Sequence, residues 1–191
     1  MDNKKRIEIE FRAMFSKERH DELKRFLDEN AQHLGIDNKD VYFFILPDKL
    51  LKVVDNVSQK NAEIVLKLNT IGTGSDFEEI EIPISPSNIK KAIDMFTYLG
   101  FTDIMHTFQE RRNYLYKDVE LALKYSDTWG YHIELEILID DHKKQLEAET
   151  RIHEIAHELN ISLMTDKELR EFTVKAKDNY KKGMYPLKRA R

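Results

Sequence analysis

The first regular pattern in the chain is an alternation of apolar and charged residues near its start. It reads Ile7-Glu8-Ile9-Glu10-Phe11-Arg12. A β-strand over about residues 5–15 would place the apolar set on one face and the charged set on the other, because successive side chains point to opposite sides of a strand. Taken alone, the pattern is typical of a half-buried strand whose charges lie in water.

Recurrence of the pattern changes that interpretation. Two later strand-like stretches repeat the pair of glutamates, as Glu79-Ile80-Glu81 and Glu134-Leu135-Glu136. Charges of both signs on one face of successive strands predict a sheet closed around a charged lumen, in which cations and anions must offset one another because isolated buried charges are costly. The strands between the acid pairs carry single bases in an otherwise apolar alternation: Lys52, Lys67, Arg111 and Lys124.

The remaining patterns predict an α+β protein. Apolar residues at helical spacing indicate a helix from an N-cap at Ser16 to a C-terminal stop at Gly35, with Leu34 on its apolar stripe. Further helices are expected after Ser85-Pro86, over about 141–159, and from the capping residue Thr165. Few helices beside many sequential strands favour an antiparallel barrel flanked by helices. The strands are expected at about 5–15, 41–46, 50–57, 62–69, 77–84, 104–116, 118–126 and 131–139.

Length and composition limit the class of protein. A chain of 191 residues is typical of one domain, which we expect over 1–180, followed by a basic tail over 181–191. The net charge of −4 argues against a nucleic-acid-binding body. No apolar run suits a membrane span or a signal peptide, and the absence of cysteine excludes a disulfide framework. We therefore expect a cytoplasmic protein without membrane contacts, and a homodimer stays open.

One motif points to a different chemistry. His153-Glu154-Ile155-Ala156-His157 matches H-E-x-x-H, in which two histidines one helical turn apart bind zinc and the glutamate activates water. The apolar face of the predicted helix, however, is centred near Ile152, Ile155 and Leu159, so both histidines fall on its polar side. No third ligand follows at a suitable distance. We therefore expect this match to be a coincidence.

Five short motifs follow one another along the chain: Glu8-Ile9-Glu10-Phe11-Arg12, Pro47-Asp48 with Lys52, Val65-Leu66-Lys67, Arg111 with Tyr114, and Gly130 with Glu134-Leu135-Glu136. Their order and spacing resemble those of the CYTH domains of the triphosphate tunnel metalloenzymes. That family includes class IV adenylyl cyclases, thiamine triphosphatases and inorganic triphosphatases. The stretch from Arg111 to Glu136 is similar to the cyclase pattern without a gap, and the resemblance covers nearly the whole chain.

The resemblance implies a closed eight-stranded antiparallel tunnel that binds Mg²⁺ or Mn²⁺ together with a triphosphate-containing small molecule such as ATP or tripolyphosphate. The charges agree with this, because paired carboxylates suit hard divalent cations and Arg and Lys bind phosphate oxygens. Metal-binding and catalytic roles would fall on the glutamates Glu8, Glu10, Glu134 and Glu136. Phosphate-binding roles would fall on the bases Arg12, Lys52, Lys67, Arg111 and Lys124.

The chain also departs from the family pattern. Gln109 stands where a tunnel lysine is usual, Lys124 where an aspartate is usual, and His132 where an aromatic residue is usual. Asp127 is a candidate to replace the lost acid. Hydrolysis of an inorganic, nucleoside or thiamine triphosphate is the function expected. A class IV adenylyl cyclase and a tunnel that binds nucleotide or polyphosphate without turnover stay open, as does a β-domain whose charges face solvent.

Overall fold

The computed structural model describes residues 7–184, so most of the predicted basic tail, including Lys188, Arg189 and Arg191, lies outside the described residues. Short 3₁₀ turns precede the second and third α-helices. No helix within the described range is long and apolar enough to cross a membrane. In chain order the elements are β1 (Ile7–Phe15), α1 (Lys17–Asn30), β2 (Gln32–Ile36), β3 (Lys39–Ile45), β4 (Leu50–Asn56), β5 (Asn61–Lys67), β6 (Asp76–Ile84), α2 (Ile89–Tyr98), β7 (Ile104–Tyr116), β8 (Val119–Ser126), β9 (Gly130–Ile139), α3 (Gln145–Glu158) and α4 (Asp166–Lys181).

Eight of these strands form a closed antiparallel barrel, as the sequence predicted. Around the barrel the order is β7, β3, β4, β5, β6, β1, β9 and β8, and β8 pairs again with β7 to close it. The long strand β7 supports the closure because it pairs with β3 through its first half and with β8 through its second half. Closure removes the exposed sheet edges and encloses one face of every strand.

The first helix ends earlier than the sequence predicted. Helix α1 stops at Asn30, and Gly35 lies in β2, a short ninth strand that continues the line of β3 along β7. A register shift between His33 and Gly35 marks a bulge, and Gly35 has a φ of 124°, a conformation that favours glycine. Leu34 is exposed rather than packed on a helix stripe. Pairing with β7 therefore outweighs the helical spacing in this segment.

Helices cover much of the outside of the barrel, and the apolar faces of most strands pack beneath them, whereas Ile80 and Ile82 on the outer face of β6 are exposed. Ile9 and Leu135 are fully buried in the main core with residues of α1 and α3, and Leu66 packs in a second core with residues of α2. These three residues point outward, as expected when the charged face of each strand lines a closed lumen. The opposite face of every strand therefore points into the barrel.

Helix α4 lies across one end of the barrel. Thr165 caps it, with Glu168 completing the predicted capping box. Arg170 donates a hydrogen bond to the Gly72 carbonyl in the loop before β6, and Lys177 pairs with Asp103 at the start of β7 over 3.2 Å. A side chain on Gly72 would clash with α4, so this glycine permits the close approach. These contacts hold α4 over the tunnel mouth.

Candidate active site in the barrel lumen

The lumen of the barrel contains one cavity of about 400 Å³, and all nine residues assigned from the sequence line it. They share one face of successive strands, as the alternation predicted. The cavity size lies within the range of about 300–1,000 Å³ that is usual for small-molecule sites. The charged residues brought together are Glu8, Glu10, Arg12, Lys52, Lys67, Arg111, Lys124, Glu134 and Glu136.

Further charged residues of the lumen were not assigned from the sequence. Those on strands lie four positions from an assigned residue or on a strand for which none was assigned, so strand parity was the signal that would have found them. No such signal marks Lys177, which lies on α4. Among the described residues the cavity lining contains eight glutamates and seven bases, so the two signs nearly balance. The additional charged residues are Lys39, Glu63, Glu79, Glu81, Glu120 and, from α4, Lys177.

Lys67 is the cation at the centre of one acidic group. Its Nζ lies 2.8 Å from Glu8 Oε2, 3.3 Å from Glu10 Oε2 and 2.5 Å from Glu79 Oε1. It also lies 4.5 Å from the centroid of the Phe77 ring. Burial by itself would lower the pKa of Lys67, but Glu10, Glu8 and Glu79 outweigh burial and raise it. Lys67 therefore stays charged and holds these carboxylates together.

A second group of charges is built around Glu134 and is almost fully paired. We call Arg12, Lys124 and Glu134 the Glu134 cluster. Arg12 Nε lies 3.1 Å from Glu134 Oε1, and Lys124 Nζ pairs with the other carboxylate oxygen. Burial would raise the pKa of Glu134, but Lys124 and Arg12 hold it well below its usual range. Burial lowers the pKa of Lys124 to about 7, with Arg111 adding to the shift.

Glu136, two residues along the same strand, has the opposite surroundings. It lies directly across from Glu10 on β1 and from Glu120 on β8, and within residues 7–184 its carboxylate forms no ion pair. Burial, followed by repulsion from Glu8 and Glu10, raises the pKa of Glu136 to about 8. We call Glu8, Glu10 and Glu136 the Glu136 cluster. It is a like-charged group that a cation would stabilise.

This donor set fits a hard divalent cation. Carboxylate oxygens are the usual ligands of Mg²⁺ and Mn²⁺, and Glu136 gains from a nearby positive charge. As the side chains stand, no three carboxylates or histidines in the described range form a ready ligand set. Glu8 and Glu10 instead face Lys67. Metal binding would therefore require these carboxylates to turn from Lys67 toward the ion.

Lys52 is a cation without a partner. It is half-buried, no carboxylate of the described residues forms an ion pair with it, and desolvation, with Lys67 nearby, lowers its pKa. Arg111 is also weakly paired, because its Nε donates to Asn113 Oδ1 over 2.7 Å and lies 3.9 Å from Asp37. Both bases line the cavity. A bound anion such as a phosphate group would supply the charge that they lack.

Three residues that depart from the family pattern line the cavity, whereas the candidate replacement acid lies outside it. Gln109, Lys124 and His132 line the cavity. Burial lowers the pKa of His132 to about 4, so this histidine is neutral, and its Nδ1 lies 3.0 Å from the Gly130 carbonyl oxygen. Asp127 lies outside the cavity lining in the turn after β8, where it accepts a hydrogen bond from Tyr125, so it does not replace the missing acid.

The H-E-x-x-H motif lies outside the barrel. His153 and His157 are both exposed on α3, and the ring of His153 packs edge-on against Phe11 at 4.9 Å. Glu154 pairs with Arg151 on the same helix. Within the described residues no group of three potential metal ligands includes them. These positions agree with a coincidental match.

Comparisons with known proteins agree with this geometry. The PH1012 protein of Pyrococcus horikoshii OT3 has 22% identity and a TM-score of 0.67, over 85% of this chain and 99% of that one. HpAC1 of Hippeastrum, named as an adenylyl cyclase and described as having a dominant triphosphatase activity, has 16% identity and a TM-score of 0.57, over 83% and 89%. A chain of the Schizosaccharomyces pombe Mediator head module has 10% identity and a TM-score of 0.60, over 82% and 97%.

A comparison with curated proteins found no match. The solved structures above share the fold of this chain at identities too low to transfer an activity. The model of the CYTH domain family, in contrast, matches residues 6–170, which include all nine charged residues assigned from the sequence. The chain therefore belongs to the CYTH domain family.

Proposed function

We propose that this protein is a metal-dependent phosphohydrolase that cleaves a triphosphate inside the barrel. The observation that carries the proposal is the position of unpaired charge in one cavity. Among the described residues Glu136 forms no ion pair, although its neighbours Glu8 and Glu10 share Lys67, while Lys52 and Arg111 lack a strong anionic partner. A divalent metal bound together with a triphosphate supplies both missing charges at once.

The chain's own residues have distinct roles in this proposal. Glu8, Glu10 and Glu136 would hold Mg²⁺ or Mn²⁺, which supplies Lewis-acid charge next to the phosphates. Lys52 and Arg111 would bind and orient the phosphate oxygens, and Lys67 would hold the carboxylates until they turn toward the metal. Phosphoryl transfer of this kind depends mainly on positioning and charge, and electrostatic interactions are stronger inside a closed lumen than in bulk water.

Two alternatives have specific support. An adenylyl cyclase activity is favoured by the unbroken cyclase-like pattern from Arg111 to Glu136. Binding without turnover is favoured by the Glu134 cluster, in which a lysine occupies the place of an acid and both oxygens of Glu134 are already paired. The cyclase would release a different product from ATP, and a binding protein would release none.

One assay separates the three functions. Purified protein is incubated with Mg²⁺ or Mn²⁺ and with tripolyphosphate, ATP or thiamine triphosphate, and phosphate, pyrophosphate and cyclic nucleotide are measured. Hydrolysis yields phosphate, whereas a cyclase yields pyrophosphate and cyclic AMP from ATP. The proposal is wrong if no phosphate is released under any of these conditions, and metal-dependent binding without product would then favour the binding function.

A further inference from the structure

Lys67 contacts one carboxylate more than the proposed metal site uses. Its Nζ pairs with Glu8 and Glu10, which we assign to the metal, and also with Glu79, which we do not. Among the described residues Glu79 forms an ion pair with Lys67 alone. The side chain of Lys67 is only 7% exposed. A cation buried to this extent is costly unless an anion stays beside it.

The strand order separates Glu79 from the other two acids. Glu79 lies on β6 directly opposite Lys67 on β5, so the Cβ atoms of this pair are about 4.5–5.5 Å apart. Glu8 and Glu10 lie one strand further away, on β1, which pairs on its other side with the strand that carries Glu136. The acids assigned to the metal therefore come from β1 and β9, whereas Glu79 belongs to the strand next to the lysine.

Arg12 shows a parallel arrangement. It pairs with Glu10, which is assigned to the metal, and with Glu134, which the proposed function leaves paired with bases of the protein. Glu134 would therefore keep Arg12 neutralised when Glu10 turns toward a metal ion. Both bases that pair with the metal-binding acids thus have a second acid of their own, which for Lys67 is Glu79.

We propose that Glu79 is a positioning residue that holds Lys67 when Glu8 and Glu10 turn away from it to bind a metal ion. This inference rests on the proposed function, because it takes Glu8 and Glu10 to be metal ligands. Without Glu79, metal binding would leave Lys67 as a buried cation with no carboxylate beside it, and the lysine would compete with the metal for Glu8 and Glu10. Glu79 therefore favours metal binding without contacting the ion.

Binding of Mn²⁺ alone to the purified protein tests this role. It is measured by the electron paramagnetic resonance signal of free Mn²⁺ and by isothermal titration. Glu79→Gln should weaken binding about tenfold, the lower end of the loss usual for residues that support a metal ligand. The variant should stay folded, because Lys67 keeps Glu8 and Glu10 in the metal-free protein. Glu110→Gln, at an exposed position of β7, is the matched control and should bind as wild type does.

Replacing Lys67 distinguishes a positioning residue from a metal ligand. Lys67→Met removes the competing cation and should strengthen Mn²⁺ binding at least about tenfold. In that background Glu79→Gln should weaken binding by no more than about twofold, because no lysine remains for Glu79 to hold. Glu79→Asp should bind Mn²⁺ as wild type does, because the flexible lysine can follow a carboxylate that is one methylene shorter. A metal ligand shortened in this way would lose its contact with the ion.

The outcomes separate this inference from the proposed function. A loss in Glu79→Gln that largely disappears in the Lys67→Met background supports the inference. If Lys67→Met does not fold, wild-type binding by Glu79→Asp beside weakened binding by Glu79→Gln supports it instead. No loss in Glu79→Gln, an undiminished loss in the Lys67→Met background, or equal losses in Glu79→Asp and Glu79→Gln overturn the inference and leave the proposed function standing. Failure of the wild-type protein to bind Mn²⁺ overturns both.

Discussion

Glu134 and Glu136 are two residues apart on one strand and face the same lumen, yet their surroundings are opposite. Both oxygens of Glu134 are paired with bases, and the pKa of Glu134 lies well below its usual range. Glu136 faces other carboxylates, and its pKa is raised to about 8. The two acids of one E-x-E motif therefore differ in their electrostatic surroundings: Glu134 pairs with bases of the protein, whereas Glu136 is the acid to which we assign the metal.

The largest expected effect is on stability, at Glu134. Glu134→Gln would leave Lys124 buried without an anion and Arg12 with Glu10 alone, and breaking a buried pair in this way costs about 3 kcal/mol or more. Chemical denaturation measures the free energy of unfolding. Glu120→Gln is a matched control, because Glu120 is exposed at the same wall of the cavity and should change stability by less than about 0.5 kcal/mol. Equal stability of the Glu134 and Glu120 variants would contradict the contrast.

Glu136→Gln should instead remove metal-dependent turnover. We expect turnover to fall at least about 100-fold, because loss of a residue that only supports a metal ligand can already cost that much. Stability should be unchanged or slightly higher, because repulsion among the carboxylates is relieved. Phosphate release from the preferred triphosphate and thermal unfolding are measured on the same preparation. Wild-type turnover in this variant would place the metal elsewhere.

The convergence of the nine assigned residues in one lumen could be predicted because strand parity follows from sequence alone, and one face of a closed barrel must share a lumen. The contrast between Glu134 and Glu136 could not, because it depends on the register that places Arg12 opposite Glu134 and Glu10 opposite Glu136. Strand β2 was missed for a similar reason. Its five residues form a strand only because β7 extends past the end of β3 and offers unpaired backbone groups to bind.

Lys124 is one of the two bases that make Glu134 differ from Glu136, so its replacement tests the origin of the contrast. Lys124→Ala should weaken triphosphate binding by about 1.5–3 kcal/mol through loss of a charge-assisted contact. Lys124→Asp would restore the family pattern and should raise metal affinity by placing a second acid beside Glu134. Titration of tripolyphosphate and of Mn²⁺ measures both effects.

The matched control for Lys124 is Lys117→Ala, which removes an exposed lysine from the turn between β7 and β8. It should change neither affinity. If Lys124→Ala binds tripolyphosphate as wild type does, Lys124 serves only to neutralise Glu134, and its assignment as a phosphate-binding residue would be withdrawn.

The smallest expected effect is that of a substitution outside the lumen, which should affect neither the Glu134 cluster nor the Glu136 cluster. His153→Ala removes an exposed side chain of the H-E-x-x-H motif whose ring touches only Phe11 among the aromatic residues described, so stability should change by less than about 0.5 kcal/mol. Turnover and its dependence on Mg²⁺ should match those of the wild type. His132→Ala is the informative partner, because His132 is buried beside Lys124 in the cavity and its loss should weaken triphosphate binding. A loss of turnover in His153→Ala together with wild-type behaviour of His132→Ala would move the chemistry from the lumen to the zinc-type motif on α3.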